Sequence, residues 1–281
     1  MSDPHDRPEP VLYEVRDRIA ILTLNRPHRR NAWTGRMHST YRRLLAEAET
    51  DPNVRAVIVT GAQTAFCVGG DMTALEGHVD KGGYDSGLIE APAMPGAGVD
   101  DRFEADFAYH FAMSKPVIAA INGAAAGVGL VLPCFADVRF GVRGAKLTTA
   151  HGPIGLPAEY GLSWILPRLI GASRAAELLL TSRVFMTEEA HDIGLVHSLH
   201  DPDELLPATF DYARSLIASN AAQSLAAAKH QIYADLHDSV RDSVERAQEL
   251  LDTLTTTDAF AHGIASLVGK QPPRFDLLDE S

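Results

Sequence analysis

Two short runs hold residue types suited to chemistry through the backbone: Cys67-Val68-Gly69-Gly70-Asp71 and Gly127-Val128-Gly129. Each sets small residues after an apolar run, where a helical pattern opens. A helix start presents N–H groups without intrahelical partners and a partial positive charge. Two such ends converging on one point would form a two-donor oxyanion hole, where one donor is worth roughly 3–4 kcal/mol to a transition state. The plainer role of these glycines is to permit tight turns. One motif alone favours that role; the second, in tandem, argues for the hole. Other chemistries lack their parts. Gly269-Lys270 is followed by Gln271 without the spaced glycines of a phosphate loop, and Leu132 stands where a dinucleotide fingerprint starting at Gly127 needs Gly or Ala. Gly161-Leu162-Ser163-Trp164-Ile165 lacks the second glycine of a nucleophile elbow, and no His, Cys, Asp or Glu spacing matches a metal site.

The elements that must hold these junctions can be read from periodicity. Val11 to Val15 and Ile19 to Leu24 are β-rich runs joined by Arg16-Asp17-Arg18, a hairpin. Thr34 caps a helix running to about Glu49, with Met37, Tyr41, Leu44, Leu45 and Ala48 on one face, and Asp51-Pro52 ends it. Val54 to Thr60 is a buried strand stopped by Gly61, and a short helix starts at Asp71. Glu76 to Asp101 is rich in Gly and Pro and reads as a long loop of the kind that forms lids. Arg102 to Met113 reads as a helix, Val117 to Ile121 as a strand, Ala126 to Phe135 as a helix and Asp137 to Val142 as a strand. Thereafter the pattern is helical: Ala172 to Leu180, Thr187 to Ile193, Pro202 to Ser219, Ala221 to Leu236 and Asp238 to Leu254. Strand–helix alternation followed by helices predicts an α/β core over residues 1–200 and a helical region over 201–281.

Composition narrows the function classes. The chain has 281 residues, of which 46% are hydrophobic and 22% charged, ordinary for a globular protein large enough to dispense with disulfides. Its two cysteines, Cys67 and Cys134, fit a reducing cytoplasm. A net charge of −12 and the absence of a dense basic run argue against nucleic acid. The N-terminus is polar and lacks the apolar core of a signal peptide. Val117 to Ala136 is uncharged and long enough for a membrane span, but Asn122-Gly123, Gly127, Gly129 and Pro133 break it into a strand, a turn and a helix.

A family resemblance rests on many stretches in the same order and spacing over residues 20–200. They are Leu24-Asn25-Arg26-Pro27 with Asn31-Ala32, Val54 to Gly61, Ala65 to Asp71, and Lys115-Pro116-Val117-Ile118-Ala119-Ala120-Ile121-Asn122-Gly123. They continue with Ala136-Asp137-Val138-Arg139, Leu166-Pro167-Arg168, Ile170-Gly171, Leu178 to Thr181, Glu188-Glu189-Ala190 and Gly194-Leu195-Val196. The chain thereby resembles the crotonase superfamily, the enoyl-CoA hydratase/isomerase family. That resemblance implies a spiral of ββα units with C-terminal helices that trimerise, as a homotrimer or homohexamer. It implies an acyl-CoA substrate, with coenzyme A as part of that substrate and no permanently bound cofactor. It places the oxyanion donors on the N–H groups of Gly70 and Val128. Coenzyme A would be cradled around Arg29, Ala32 and Val68, with Lys270 from the C-terminal helices; Arg29 could equally be a free surface charge.

The chain departs from the family pattern where hydratases carry two glutamates. The first position falls on Val131, which cannot exchange a proton, and the second on His151. One acid remains close by, Glu159, at the position where the family's dienoyl-CoA isomerases carry an aspartate. A carboxylate in an apolar pocket has a raised pKa and can shuttle protons near neutrality, and an imidazole titrates there unperturbed. Glu159 could alternatively be an exposed carboxylate or a helix-terminal charge, and His151 a structural loop histidine. Asp71 reads as a helix cap, Cys67 as a buried small side chain, and Trp33 and Trp164 as core or pocket wall. Tyr109 and His110 could line an acyl pocket, though core or surface is the simpler reading. The expected activity is proton transfer through an enolate by Glu159, with or without His151. The alternatives are a hydrolase of a CoA-linked or diketone substrate using both residues, and a non-catalytic acyl-CoA binder.

Overall fold

A computed structural model describes residues 8–82, 94–96 and 98–277. Strands β1 (Val11–Arg16) and β2 (Ile19–Leu24) form the expected hairpin, paired from Val11↔Leu24 to Arg16↔Ile19. Its turn residues, Asp17 and Arg18, have φ of 49° and 63°, the left-handed geometry whose twist matches two adjoining strands. The chain then lays down three successive corners. Each has one longer strand in a large sheet and one short strand in a small sheet: β3 (Ala56–Gly61) with β4 (Ala65–Cys67), β5 (Val117–Ile121) with β6 (Ala124–Ala126), and β7 (Val138–Val142) with β8 (Lys146–Thr148). The large sheet has the order β1-β2-β3-β5-β7-β10, where β10 is Ser198–His200, and is parallel beyond the hairpin. The small sheet has the order β4-β6-β8-β9, where β9 is Phe185–Met186. This is an α/β spiral of ββα units followed by helices.

The large sheet is apolar on both faces, as a covered parallel sheet must be. Ala20, Leu22, Val57, Val59, Ala119 and Ile121 point into the main core. Their neighbours Ile19, Ile21, Ala56, Ile58, Ile118 and Ala120 point the other way, against Leu205, Phe210, Ala213 and Ile217 of α8 (Leu205–Ser219). Helix α1 (Gly35–Thr50) starts where Thr34 Oγ1 accepts from Met37 N–H at 3.2 Å and buries the five apolar residues expected of it. Asn122 ties two corners together: its Oδ1 accepts from Gly61 N–H at 2.9 Å, and its Nδ2 donates to the Gly61 and Gln63 carbonyls at 2.8 Å each.

Several boundaries differ from the sequence reading. Residues expected to be one helix from Arg102 to Met113 form a 3-10 turn at Asp101–Phe103 and a single turn α3 (Tyr109–Ala112). Phe107 between them has φ 64°, which no continuous helix allows. Phe103, Phe107, Tyr109 and Phe111 are all buried, so inward packing on every side overrides the helical periodicity. Helix α2 (Met72–Lys81) extends into the stretch expected to be loop, and residues 83–93 and 97 of that stretch lie outside the described residues. The run read as a helix from Ala126 to Phe135 divides into β6 and α4 (Val128–Cys134). Beyond it come α5 (Leu162–Ile170), α6 (Ala172–Thr181) and α7 (Thr187–Asp192). After α8 come α9 (Ala222–Ala234), α10 (Val240–Leu254) and α11 (Asp258–Val268). Among the described residues no helix is long and apolar enough to cross a membrane.

Candidate active site

The first glycine junction is fixed by a bridge between two loops. Trp33 N–H donates to Gly69 O at 2.7 Å and Asp71 N–H donates to Trp33 O at 2.9 Å. Trp33 is thereby paired in parallel with Gly70. In such a pairing the partner bonds the residues on either side, so the N–H of Gly70 itself points away from Trp33. Gly70 is exposed, and its N–H donates to no backbone acceptor among the described residues. Asp71 caps α2: its Oδ1 accepts from Thr73 N–H at 3.0 Å, and its Oδ2 meets Arg26 Nη2 at 2.9 Å. Burial alone would raise the Asp71 carboxyl, but the Arg26 hydrogen bond and charge, with the Thr73 amide, hold it below the usual range. Asp71 is therefore a cap, as read from the sequence, and also the charge partner of Arg26. Burial pushes the Cys67 thiol up to about 12, which leaves it inert as a nucleophile.

The second junction is the turn from β6 into α4. Gly127 N–H donates to Thr148 O at 3.1 Å, anchoring the turn to β8, and Gly127 adopts φ 51°, ψ −126°. That combination is essentially restricted to glycine. The chain then enters α4 at Val128, whose N–H is the first unpaired donor of the helix. Gly129 seats α4 on β4 so closely that a Cβ there would lie 2.0 Å from Cys67 O. The two junctions are adjacent: a Cβ on Gly127 would lie 3.9 Å from Gly69 Cα.

The same point locates the acid. A Cβ on Gly127 would lie 3.3 Å from Glu159 Oε2 and 4.0 Å from Thr149 O. Glu159 opens a 3-10 turn, Glu159–Gly161, that packs on α4 and α5. It is half-buried, and no hydrogen bond or ion pair joins its carboxylate to another described residue. Burial raises its pKa above the ordinary carboxylate value, and nearby His151 pulls it back only in part. His151 precedes the turn Gly152–Ile154, which is pinned to α6 where Gly152 N–H donates to Ser182 Oγ at 3.1 Å. The imidazole is buried and its Nδ1 has no hydrogen-bond partner among the described residues. Val131 is wholly buried on α4.

Of the residues expected to hold coenzyme A, three share one locality. Ala32 N–H donates to Arg29 O at 3.0 Å, Val68 N–H donates to Arg30 O at 3.3 Å, and Ala32 O accepts from Arg26 Nη1 at 2.6 Å. Arg29 is exposed and Val68 half-buried beside it. Lys270 follows α11, and the chain then runs to Phe275 and Asp276, whose carbonyls accept from Arg55 and Arg18. Those arginines stand at the starts of β3 and β2, whereas Arg29 follows the end of β2. No hydrogen bond or ion pair joins Lys270 to the Arg29 loop among the described residues. A cleft of about 310 Å³ also lies at the starts of β3 and β5. Its Lys115 Nζ is committed to the carbonyls of Ala48 and Asp51. Among the described residues no group of His, Cys, Asp or Glu could hold a metal ion.

The sequence reading missed the Trp33–Gly70 pairing and the ring contact of Tyr160, beside Glu159, with Phe107. The second has no local signal, because the two rings are far apart in sequence and meet at a centroid distance of 5.3 Å.

Comparison with known proteins bears on the family. A profile of the Enoyl-CoA hydratase/isomerase family matches residues 14–277. The chain is 30% identical over 267 residues to a 1,2-epoxyphenylacetyl-CoA isomerase of Escherichia coli, covering 94% of this chain and 97% of that protein. It is 36% identical over 200 residues to a probable enoyl-CoA hydratase of Mycobacterium tuberculosis, covering 69% of this chain and 70% of that one. The crystal structure of a probable enoyl-CoA hydratase/isomerase from Mycobacterium abscessus superposes with a TM-score of 0.81 at 28% identity, covering 94% and 98% of the two chains. That of a putative enoyl-CoA hydratase from Streptomyces coelicolor gives 0.82 at 28% identity, covering 99% and 98%. The spiral and the match over almost the whole chain agree: this protein belongs to the enoyl-CoA hydratase/isomerase family, the crotonase superfamily, and is an enzyme of hydratase/isomerase type.

Proposed function

We propose that the protein isomerises the double bond of an acyl-CoA thioester through an enolate, with Glu159 as the proton shuttle. The observation that carries this reading is the Glu159 carboxylate set against the Gly127–Val128 junction, half-buried and raised in pKa. In the forward step Glu159 removes a proton from carbon next to the thioester or its vinylogous position, and the electron pair moves onto the thioester oxygen. The N–H groups of Gly70 and Val128 stabilise that oxygen as it becomes an enolate. Glu159, now a carboxylic acid, returns the proton at the other end of the conjugated system. Substrate and product have the same atoms, so one carboxylate suffices, in keeping with Val131 and His151 standing where a hydratase would carry glutamates. Coenzyme A enters as part of the substrate, held around Arg29, Ala32 and Val68.

The test is incubation with 2-enoyl-, 3-enoyl- and dienoyl-CoA esters in deuterated water, read by mass for wild type and Glu159→Gln. Isomerisation or deuterium uptake lost in the variant supports the reading. A product heavier by one added D2O, about 20 mass units, would show hydration instead. Binding without turnover or exchange, unchanged in Glu159→Gln, would leave a non-catalytic acyl-CoA binder. A second reading, activation of water for hydration or hydrolysis, is favoured by one observation: the buried Nδ1 of His151 lacks a partner beside Glu159.

The C-terminal helices supply the proposed assembly. Val240, Val244 and Leu251 on α10, and Phe260, Ile264 and Leu267 on α11, form exposed apolar stripes at helical spacing. Exposed apolar stripes of this kind mark interfaces. We read residues 201–281 as the trimerisation region of a homotrimer or homohexamer, with residues 1–200 carrying the site. In such an assembly Lys270 would serve a neighbouring protomer's coenzyme A. Light scattering of the wild type and of Val244→Asp with Ile264→Asp tests this: the double variant should be monomeric.

A further inference from the structure

One ring touches the neighbours of both junction and acid. Phe107 contacts Trp33, the bridge partner of Gly70, at a centroid distance of 5.6 Å, and Tyr160, which follows Glu159, edge-on at 5.3 Å. The Phe107 ring is closely confined. It is wholly buried and stacks on His38 at 5.5 Å and on Tyr109 at 6.2 Å. Its backbone is braced on both sides. Asp106 before it meets His38 and Arg42 of α1 at 3.4 Å each, and Phe107 O accepts from His110 N–H at 3.1 Å. Phe107 is thus a fixed point braced on α1.

Glu159 is held in a different manner. Burial and nearby His151 set its titration, and no side-chain hydrogen bond fixes its carboxylate among the described residues. Its place against Gly127 therefore depends on the turn Glu159–Gly161. That turn is strained. Tyr160 at its centre has φ 47° and ψ 36°, a left-handed state uncommon for a bulky residue, and Gly161 follows at φ 78°. A strained residue persists where its surroundings over-determine it. Buried Leu162 anchors the far end of the turn and donates its N–H to Glu159 O. The side chain at the strained position is the ring that Phe107 meets edge-on, a geometry aromatic pairs prefer. Were Tyr160 to relax to a right-handed conformation, the peptide planes on either side of it would rotate, and Glu159 would leave Gly127.

We propose that Phe107 is a positioning residue for proton transfer: through the Tyr160 ring it keeps the Glu159 turn left-handed and the carboxylate against the Gly127–Val128 junction. The inference rests on the reading of Glu159 as the proton shuttle. Phe107 acts without touching the substrate. Because the same ring packs on Trp33, it also ties the base to the loop that carries the Gly70 amide.

The experiment compares Phe107→Leu and Tyr160→Leu, which remove the ring contact from either side, with Tyr160→Phe, which keeps it. Each is made in wild type and in Glu159→Gln, and thermal melting sets a temperature at which the proteins are folded. Turnover of 2-enoyl-, 3-enoyl- and dienoyl-CoA esters is measured together with affinity for butyryl-CoA. The Glu159 carboxyl is titrated in the free protein by carbon-13 NMR, its signal assigned from Glu159→Gln. Each leucine variant should lose about 10- to 100-fold in kcat, the cost of a base displaced by about 1 Å, with butyryl-CoA affinity within about threefold. The double leucine variant should be no slower than the worse single one. In Glu159→Gln neither leucine should cost more than about twofold, since groups that act as a unit do not add. Tyr160→Phe should stay within about threefold of wild type. In both leucine variants the Glu159 midpoint should fall toward the ordinary carboxylate value, because a displaced carboxylate meets more water. A ring with a merely structural role would slow wild type and Glu159→Gln by the same factor and leave the midpoint in place. Either result would overturn the proposal, and two leucine variants keep the test intact should one fail to fold. Unaltered turnover in Glu159→Gln, or no turnover of any ester, would instead overturn the proton-shuttle reading, and the titration would still decide whether Phe107 sets the place of the carboxylate.

Discussion

The two halves of the site are built in opposite ways. The half proposed to bind the enolate oxygen is backbone, fixed by main-chain bonds: Gly70 lies on the Trp33 bridge and Val128 follows the anchor from Gly127 to β8. The half proposed to transfer the proton is side chain, and short turns hold it: His151 precedes one 3-10 turn, Glu159 opens another, and Ala150 and Tyr160 beside them have φ of 57° and 47°. Stabilising an enolate needs fixed dipoles, which strand-anchored amides provide without reorganisation. Choosing which proton moves needs only one placed group, which a loop can exchange without disturbing the sheets. A family can thus keep the first half and vary its reactions through the second.

The sharpest break of the backbone half is Gly129→Ala. The added Cβ would sit 2.0 Å from Cys67 O, a backbone atom that cannot swing aside. Helix α4 must lift from β4 and carry the Val128 amide with it. The expected loss is at least about 100-fold in kcat, the value of one misplaced donor, with a lower melting temperature. Turnover and thermal melting check it together; a variant with normal turnover would show that the Val128 amide is not a donor.

Glu159→Gln breaks the other half and should leave the first intact. The expected loss is about 10²- to 10⁴-fold in kcat, the usual worth of a general base, with affinity for unreactive esters changed little. Stability should move the other way from Gly129→Ala. The folded-state pKa of Glu159 is raised, so its charged form costs stability once pH passes that value, and below the ordinary carboxylate pKa the cost is gone. The variant should therefore melt slightly higher than wild type near neutrality and no higher at acid pH. The same shift sets the pH–rate profile: activity should fall as acid protonates Glu159, with a midpoint above the ordinary carboxylate value. A midpoint at or below that value would remove Glu159 from the role of base.

What could be read from the sequence follows the same division. The longer strands β1, β2, β3, β5 and β7, the α1 cap at Thr34 and both glycine junctions were legible, because apolar runs, capping side chains and glycine at constrained turns are local signals; the short strands β4, β6, β8, β9 and β10 were not. Glu159 and His151 could be named together only through the family resemblance; spacing alone leaves a loop acid and a loop histidine. The approach of Glu159 to Gly127 is made by the packing of α4 against the Glu159 turn, which no local pattern encodes. The expected helix over Arg102 to Met113 failed for the same reason, since long-range ring contacts decide the path of Phe107.

A gentler perturbation, away from both halves, separates architecture from chemistry. Asp137 accepts from Val117 N–H at 2.6 Å, from buried Lys229 Nζ at 2.8 Å and from Tyr233 Oη at 2.7 Å, joining α9 to the start of β5. Lys229→Met strips one member of a buried pair and should destabilise by about 3 kcal/mol, while kcat at a temperature where the protein stays folded holds within a few-fold. Chemical denaturation and turnover measured on one sample check the pair of outcomes. A large drop in kcat from the folded protein would mean that α9 reaches the site.

The smallest expected effect is at the cap of α2. Asp71→Ala removes the acceptor for Thr73 N–H and the partner of Arg26, and caps of this kind are worth about 1 kcal/mol. Because its carboxyl is held below the usual range, Asp71 contributes stability above the ordinary carboxylate pKa, and that contribution fades as pH falls through the lowered folded value. The difference in unfolding free energy between wild type and variant should thus be full at neutral pH and shrink in strong acid, opposite to the trend at Glu159. Turnover should fall only modestly, since Trp33 still pairs with Gly69 O through its own amide and keeps Gly70 oriented. Were Asp71→Ala to abolish turnover in a protein that still folds and binds CoA esters, Asp71 would be acting on the substrate. The division between a backbone half that binds the enolate and a side-chain half that moves the proton would then have to be redrawn.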